Sequence, residues 1–494
     1  MDLDPPPPAP VADGARIKVS VYADMGSLRA GEEGETVAVP LPLGQDHIDV
    51  NVWLVVEEPF AVEGEDTRKL TLRRDQARSE TLEFTVVRNG SGTAPTALFS
   101  ALFAYKGRPC GRVSRAVALA AGTDSVQVPL PDPAVQVETG AKAADLQVRI
   151  VRSGTDEQTF ECHVQTPLLP AYADGVAGPW RLSSLARDLV REQMSHFTTK
   201  GATLYARTVA LLGAGYNLFE ATPPLFQKVF WELLDAGRPL RSISIVTEEP
   251  YIPWELLVPN RTLLNGETEE WDQPLGVEFV VSRWTSRSHV AAPQKISLRD
   301  AYVIAPKESR LPEAEEEATL VMAQFAGKRV DPASLEVLDQ TLDQGGRALL
   351  HFICHGVSGE AGSQTLQMDQ NQKLYAESLR GMRGVKKACK ASKPVIFLNA
   401  CEVGREEPAL VGTGGFAETF MSLGASAVIA PLWSVKDTVA HEIAVEFYRR
   451  IKAEPATPLA AILRDLRAKS YVAGGGEDSY AAYCFYGDPL ATAG

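Results

Sequence analysis

The sequence predicts an α/β protein built on a doubly wound, mostly parallel sheet, with a separate β-sandwich in front of it. Three observations carry this reading. From Asp300 onward, short apolar runs alternate with stretches of helical spacing, the pattern of a parallel sheet covered on both faces. Two of those runs, Ala348-Leu349-Leu350-His351-Phe352-Ile353-Cys354-His355-Gly356 and Val395-Ile396-Phe397-Leu398-Asn399-Ala400-Cys401-Glu402, stop at polar residues, as buried parallel strands do at a ligand-binding edge. Residues 16–130, by contrast, hold short runs of partial alternation separated by Gly-rich turns such as Asn89-Gly90-Ser91-Gly92, with hardly a helical segment.

Taken in order, residues 1–14 are rich in Pro and Ala and read as a disordered tail. Residues 15–130 form the sandwich, with strands expected at Ile17–Val21, Asp49–Val56, Thr81–Val87, Ala101–Tyr105 and Val113–Leu119. The sandwich carries no catalytic constellation and reads as a binding or regulatory module. Val128-Pro129-Leu130-Pro131-Asp132-Pro133 is a stiff linker, because closely spaced prolines disfavour both helix and central strand. A chain starting near Val135 is therefore expected to fold without the sandwich. Residues 131–299 read as a mixed α/β front part. It has a hairpin at Asp145–Val151 and Thr159–Val164, helical spacing over 182–195 and 223–236, and a strand at Leu240–Val246. Residues 300–494 hold the regular alternation. Helices are expected at Glu313–Phe325, Ser378–Ala391, Gly415–Leu423 and 438–452, with a shorter segment at Pro332–Gln344, a closing stretch at Pro458–Ser470, and strands at Ala301–Ala305 and Ala425–Ala430.

The net charge of −14 argues against a general nucleic-acid binder, which presents a basic face. Six cysteines without CxxC spacing argue against a zinc knuckle or a disulfide framework. The N-terminus has no basic segment followed by an apolar one, and no run approaches 18 apolar residues. The expected setting is the reducing cytoplasm, without membrane contact and without a cofactor.

A His at one strand end and a Cys at the next is the arrangement of a thiol nucleophile and its base. Cys401 follows a small residue, and His355 stands 46 residues upstream, close to the spacing of the caspase signature. Cys354 is the competing thiol, but it lies inside an apolar run. His351 shares strand parity with His355, so a His351/His355/Cys401 metal site is a second reading, although no fourth ligand has sensible spacing. Gly356 lets the backbone turn sharply after His355. Asp437 stands before Thr438-Val439-Ala440 as a helix cap would. Asp369 reads first as a turn residue and second as a pocket residue. Gly412-Thr413-Gly414-Gly415 lacks the Lys-Ser/Thr of a phosphate loop.

Over roughly residues 136–494 the chain resembles the CHAT peptidases, caspase-like relatives of separase. The resemblance rests on Ile252-Pro253-Trp254-Glu255-Leu256-Leu257, His355-Gly356, Leu398-Asn399-Ala400-Cys401-Glu402, Leu432-Trp433-Ser434-Val435-Lys436-Asp437 and Tyr486-Gly487-Asp488-Pro489, in that order. It implies a caspase-like fold and a cysteine endopeptidase that cuts a few specific proteins. In such an enzyme the N–H groups of Gly356 and Cys401 form an oxyanion hole. Asp437, with Trp433, Ser434 and Asp369, would line the pocket for a basic residue before the scissile bond. It also implies regulation by an activating protein or ligand, for which the sandwich is a candidate surface. Bacterial members are associated with defence and programmed death. Two other readings keep the fold without this activity: a catalytically silent scaffold, and another cysteine acyl-transfer enzyme.

Overall fold

A computed structural model describes residues 2–4, 11–23, 36–38, 45–90, 96–119, 134–136, 140–153, 156–195, 203–285, 292–345, 348–358, 364–401, 415–432, 435, 437–472 and 482–494. The expected linker at 128–133 lies outside them.

The sandwich contains β1 (Arg16–Val21), β2 (His47–Val56), β3 (Phe60–Glu63), β4 (Thr67–Arg73), β5 (Leu82–Arg88), β6 (Thr96–Tyr105) and β7 (Arg108–Ala118). One sheet has the order β1-β5-β3, with the short strand Asp2–Asp4 paired to the outer edge of β1, and the other β4-β2-β6-β7, all antiparallel. The even-numbered residues Val52, Leu54 and Val56 of β2 join Val19, Phe84, Val86 and Phe99 in the core between the sheets. Its odd-numbered residues Trp53 and Val55 form a different cluster with Leu102 and Val151, outside the sandwich core. A strand buried on both faces needs two partners, and the second is the rest of the molecule.

Among the described residues the large sheet contains thirteen strands. In chain order they are β8 (Leu146–Arg152), β9 (Thr159–Gln165), β10 (Val176–Arg181), β11 (Ser242–Thr247), β12 (Val280–Trp284), β13 (Ala301–Ile304), β14 (Lys328–Arg329), β15 (Leu349–Ser358), β16 (Gln364–Gln367), β17 (Lys373–Tyr375), β18 (Val395–Cys401), β19 (Ala427–Pro431) and β20 (Tyr483–Tyr486). The order across the sheet is β10-β9-β8-β11-β12-β20-β19-β18-β15-β13-β14, with the β16–β17 hairpin attached to β15. The strands β13, β14, β15, β18 and β19 run parallel to one another. So do β8, β11, β12 and β20. The two blocks meet antiparallel at β19 and β20. The sheet is thus mostly parallel, as expected, but its direction reverses near the middle, and β9 and β10 at one edge and the β16–β17 hairpin are antiparallel as well.

The helices are α1 (Ala186–Ser195), α2 (Leu204–Glu220), α3 (Pro224–Asp235), α4 (Leu275–Glu278), α5 (Ala314–Gln324), α6 (Leu335–Asp343), α7 (Ser378–Gly381), α8 (Arg383–Ser392), α9 (Phe416–Leu423), α10 (Asp437–Ala453) and α11 (Leu459–Val472). In the second half, α5, α10 and α11 cover one face, while α6, α8 and α9 pack together over the other. The single basic helix expected at Ser378–Ala391 is two helices, broken at Met382, whose extended backbone separates α7 from α8. Among the described residues no helix is long and apolar enough to cross a membrane.

The sandwich is seated on the large sheet by polar contacts as well. Arg108 of β7 donates to Asp488 Oδ2 at 2.8 Å and to the Ala292 carbonyl at 2.6 Å. Arg112 donates to Glu248 at 2.9 Å. The rings of Trp53 and His163 stack 5.1 Å apart. The front part has its own buried pair: the Arg283 guanidinium holds Glu255, the glutamate of the Trp254-Glu255 motif, with both side chains almost fully buried.

Candidate active site

Side chains on a strand alternate between faces, and β15 shows this directly. The Phe352 ring lies 6.1 Å from Phe420 of α9. His351, one residue earlier, lies 5.1 Å from Phe397 and 5.4 Å from Tyr448 of α10. The parallel register of β15 and β18 pairs His351 with Phe397, Ile353 with Asn399, and His355 with Cys401. His355 and Cys401 are therefore neighbours at the same edge of adjacent strands, with their backbones about 4.8 Å apart across the sheet. For Cys401 the structure describes this backbone position only.

The His355 ring is held by its Nε2, 2.6 Å from the Ser309 carbonyl. A carbonyl can only accept, so Nε2–H donates, and a neutral ring in that tautomer keeps its basic lone pair on Nδ1. Ser309 ends the turn Lys307–Ser309 just before α5. Two carboxylates fix that turn. Asp369 accepts from the Glu308 N–H at 3.2 Å and from the Ala333 N–H at 2.8 Å. Glu308 in return accepts from the Gln370 and Asn371 N–H groups, each at 2.9 Å. The buried Asp369 thus grips backbone with both oxygens, as a turn residue does.

The chain does not turn at Gly356. Instead β15 continues to Ser358 and changes partner, pairing Gly356, Val357 and Ser358 antiparallel with β16.

Asp437 is half-buried and is the first residue of α10 rather than the residue before it. Its Oδ2 accepts from the Glu313 N–H at 3.1 Å, at the start of α5. The carboxylate therefore satisfies an end of the neighbouring helix, where the helix dipole favours negative charge. Trp433, Ser434 and Lys436 lie outside the described residues, as do Glu402 and the loop Gly412-Thr413-Gly414.

The other five cysteines, Cys110, Cys162, Cys354, Cys389 and Cys484, are free and buried. Burial pushes the Cys354 thiol up to about 12, and Cys110 and Cys389 likewise. A thiol that does not ionise is a poor nucleophile. His351 has no nitrogen left for a metal, since Nε2 lies 2.7 Å from Glu317 Oε1 and Nδ1 lies 2.9 Å from the Tyr448 hydroxyl. Among the described residues, Glu313, Glu316 and His441 bring donor atoms within 4.8 Å of one another. Both glutamates stand at the start of α5, where the dipole alone accounts for them.

One feature escaped sequence reasoning. Beneath the strand ends, Glu317 is buried and accepts at Oε1 from both His351 and the Asn399 amide, each at 2.7 Å. The Tyr483 hydroxyl donates to Asn399 Oδ1. The signal was present: Ala314, Glu317, Ala318 and Val321 form the buried stripe of α5, so a glutamate occupies a core position.

A family model described as the CHAT domain matches residues 222–473. A search of curated proteins returns no match. Among solved structures, the separase–securin complex of Saccharomyces cerevisiae is similar with a TM-score of 0.40 at 12% identity, covering 70% of this chain and 30% of that one. The complex of Porphyromonas gingivalis RgpB pro- and mature domains gives 0.37 at 14% identity, covering 63% and 78%. The Drosophila initiator caspase Dronc gives 0.26 at 10% identity, covering 41% and 85%.

Proposed function

The chain belongs to the CHAT domain family, and from that premise we propose that it is a cysteine endopeptidase whose nucleophile is Cys401 and whose base is His355. The observation that carries the proposal is the register pair His355–Cys401 at one edge of adjacent parallel strands. The Ser309 carbonyl supports it by fixing a ring tautomer with Nδ1 as the basic nitrogen. In the proposed chemistry the Cys401 sulfur attacks a peptide carbonyl and the imidazole carries the thiol proton to the leaving amine. Water then hydrolyses the acyl-enzyme, with the same ring as base. A dyad is sufficient because a thiolate is intrinsically nucleophilic. The N–H groups of Gly356 and Cys401 are the proposed oxyanion donors, each worth about 2.7–4 kcal/mol.

The substrate is proposed to be a protein cut after Arg or Lys, with Asp437 supplying the charge and Trp433 and Ser434 the remaining pocket. A carboxylate that spends one oxygen on the Glu313 N–H keeps a second for a guanidinium. Asp369 has its oxygens on backbone, so its part is to hold the Ser309 turn. An activating protein or ligand acting through the sandwich, in a defence or cell-death setting, completes the proposal. The test is a thiol-reactive peptide probe ending in Arg. Stoichiometric labelling of Cys401, lost in His355→Ala, is the expected result. Labelling elsewhere, or none with intact folding, would leave a scaffold as the better account.

A further inference from the structure

Glu317 is the most connected buried carboxylate near the candidate site. It sits in the core stripe of α5 and is 1% exposed. Its Oε1 accepts from His351 of β15 and from Asn399 of β18, and its Oε2 lies 3.6 Å from His441 Nδ1 of α10. Asn399 is fixed in turn by Tyr483 of β20, and His351 by Tyr448 of α10. Burial, and then the Glu317 charge, raise the Tyr448 phenol well above its ordinary value, so it remains a hydroxyl.

The elements joined here are the ones that carry the proposed chemistry. His351 precedes His355 by four residues on β15, and Asn399 precedes Cys401 by two on β18. The turn that presents the Ser309 carbonyl leads into α5, and Asp437 opens α10. Parallel strands hold one another by slanted backbone bonds, which set the register and leave small tilts and slides to the side chains. One buried acceptor oxygen shared by two donors from adjacent strands removes that freedom, because hydrogen bonds are directional and a buried donor left without its acceptor is costly.

We propose that Glu317 is the positioning residue that fixes His355 and Cys401 relative to each other, acting through His351 and Asn399. The proposal rests on the dyad reading above, and its test separates the two. The rate of Cys401 alkylation by iodoacetamide at pH 6 is measured by mass spectrometry on the full folded chain, with the urea-unfolded chain as reference. A thiol activated by its imidazole reacts at least tenfold faster than a free thiol of pKa about 8.5. Glu317→Ala is expected to lose at least tenfold of that rate. Glu317→Gln is expected to stay within threefold of the native chain. An amide keeps the Oε1 acceptor and donates toward His441 Nδ1, which is buried without a hydrogen-bond partner. Asn399→Ala, a milder change that leaves the Glu317–His351 bond intact, is expected to lose rate as well, and keeps the test alive should Glu317→Ala not fold.

Equal rates in the folded Ala variants and the native chain would overturn the positioning role alone. A Gln variant as slow as the Ala variant would also overturn it, since charge rather than placement would then be at work. A native Cys401 no faster than the unfolded reference would bring down the dyad reading, and this proposal with it.

Discussion

His355 and Cys401 meet through backbone register, so each can be tested without disturbing the other's strand. Cys401→Ala removes one sulfur at a strand end and is expected to abolish peptidase activity while shifting the melting temperature by less than about 2 °C. His355→Ala should do the same. The double variant should be no slower than either single one, because the two residues act as a unit. Kinetics on a common peptide, alongside a melt of each variant, decide this. Asp437 gives a sharper contrast. If it receives a substrate guanidinium, Asp437→Ala removes charge-assisted bonds of about 1.5–3 kcal/mol, lowering turnover of Arg peptides roughly ten- to a hundredfold relative to Met peptides. If its bond to the Glu313 N–H is its whole task, the substitution costs about 0.5–2 kcal/mol of stability and the Arg-to-Met ratio of kcat/KM stays put. At this scale the sequence was most legible where chain direction alone decides, as at His355 and Cys401. Glu317 showed only as a glutamate in the apolar stripe of α5, and its link to Asn399 was not legible, because strand parity says which face a residue shares but not which carboxylate waits there.

From Asp300 onward the longer helices and the strands β13, β15, β18 and β19 were legible in kind and roughly in extent, because each of these strands is a short apolar run and each helix repeats at 3.6 residues, whereas β14, β16, β17 and β20 went unmarked. Of the elements that differ, two show reasons the pattern does not encode. β15 outlasts its apolar run by three residues, since a new antiparallel partner takes over the hydrogen bonds of Gly356 to Ser358. Helix α2 (Leu204–Glu220) went unmarked because its faces are not sharply divided, and Tyr205 and Val209 are exposed. One helix contact can be tested directly. Gly384 lies where α8 approaches α6 so closely that a Cβ would come within 1.9 Å of the Asp339 carbonyl oxygen. Asp339 also caps this turn, accepting from the Gly384 N–H at 2.6 Å. Gly384→Ala is expected to destabilise by about 1–3 kcal/mol through overpacking. The displaced helix leads straight into β18, so thiol reactivity at Cys401 should fall with it. A chemical melt and an alkylation rate on the same sample read both effects, and an unchanged midpoint would mean that the helices part without penalty.

Across the whole molecule, the sandwich is joined to the large sheet by buried groups rather than merely tethered to it. The run Val52-Trp53-Leu54-Val55-Val56 already held the clue: an apolar strand without alternation is covered on both faces. A chain starting near Val135 would leave Asp488 and Glu248 without their arginines, so it is expected to fold with a lowered melting temperature. Arg108→Ala isolates the main contact. Leaving a buried carboxylate unpaired typically costs about 3–5 kcal/mol, and limited proteolysis should then release the sandwich earlier than in the native chain. The contact region also sets a pH window. Burial, and then the nearby Arg149 charge, hold the His163 imidazole down at about 3, so it stays neutral when folded while the unfolded ring gains a proton below about 6.5. Stability from this group is present above pH 6.5 and falls as pH drops toward 3. Glu161 and Asp66 work in the opposite direction. Burial raises both, and the Asp66 charge raises Glu161 further, so their stabilising share is present at low pH and fades as pH rises through the raised values. His163→Phe should flatten the acid limb of a melting-temperature profile and leave the alkaline limb alone; a parallel drop in both would show that His163 is not the group responsible. The placement of β20 carries a consequence for synthesis. Tyr483–Tyr486 follows the other strands of the large sheet in the sequence and is made after them, yet it lies between β12 and β19 and joins the two blocks of the sheet. Until it emerges, Asn399 lacks its tyrosine and the halves cannot close. A chain ending at Val472 is expected to be unable to protect its core amides from exchange.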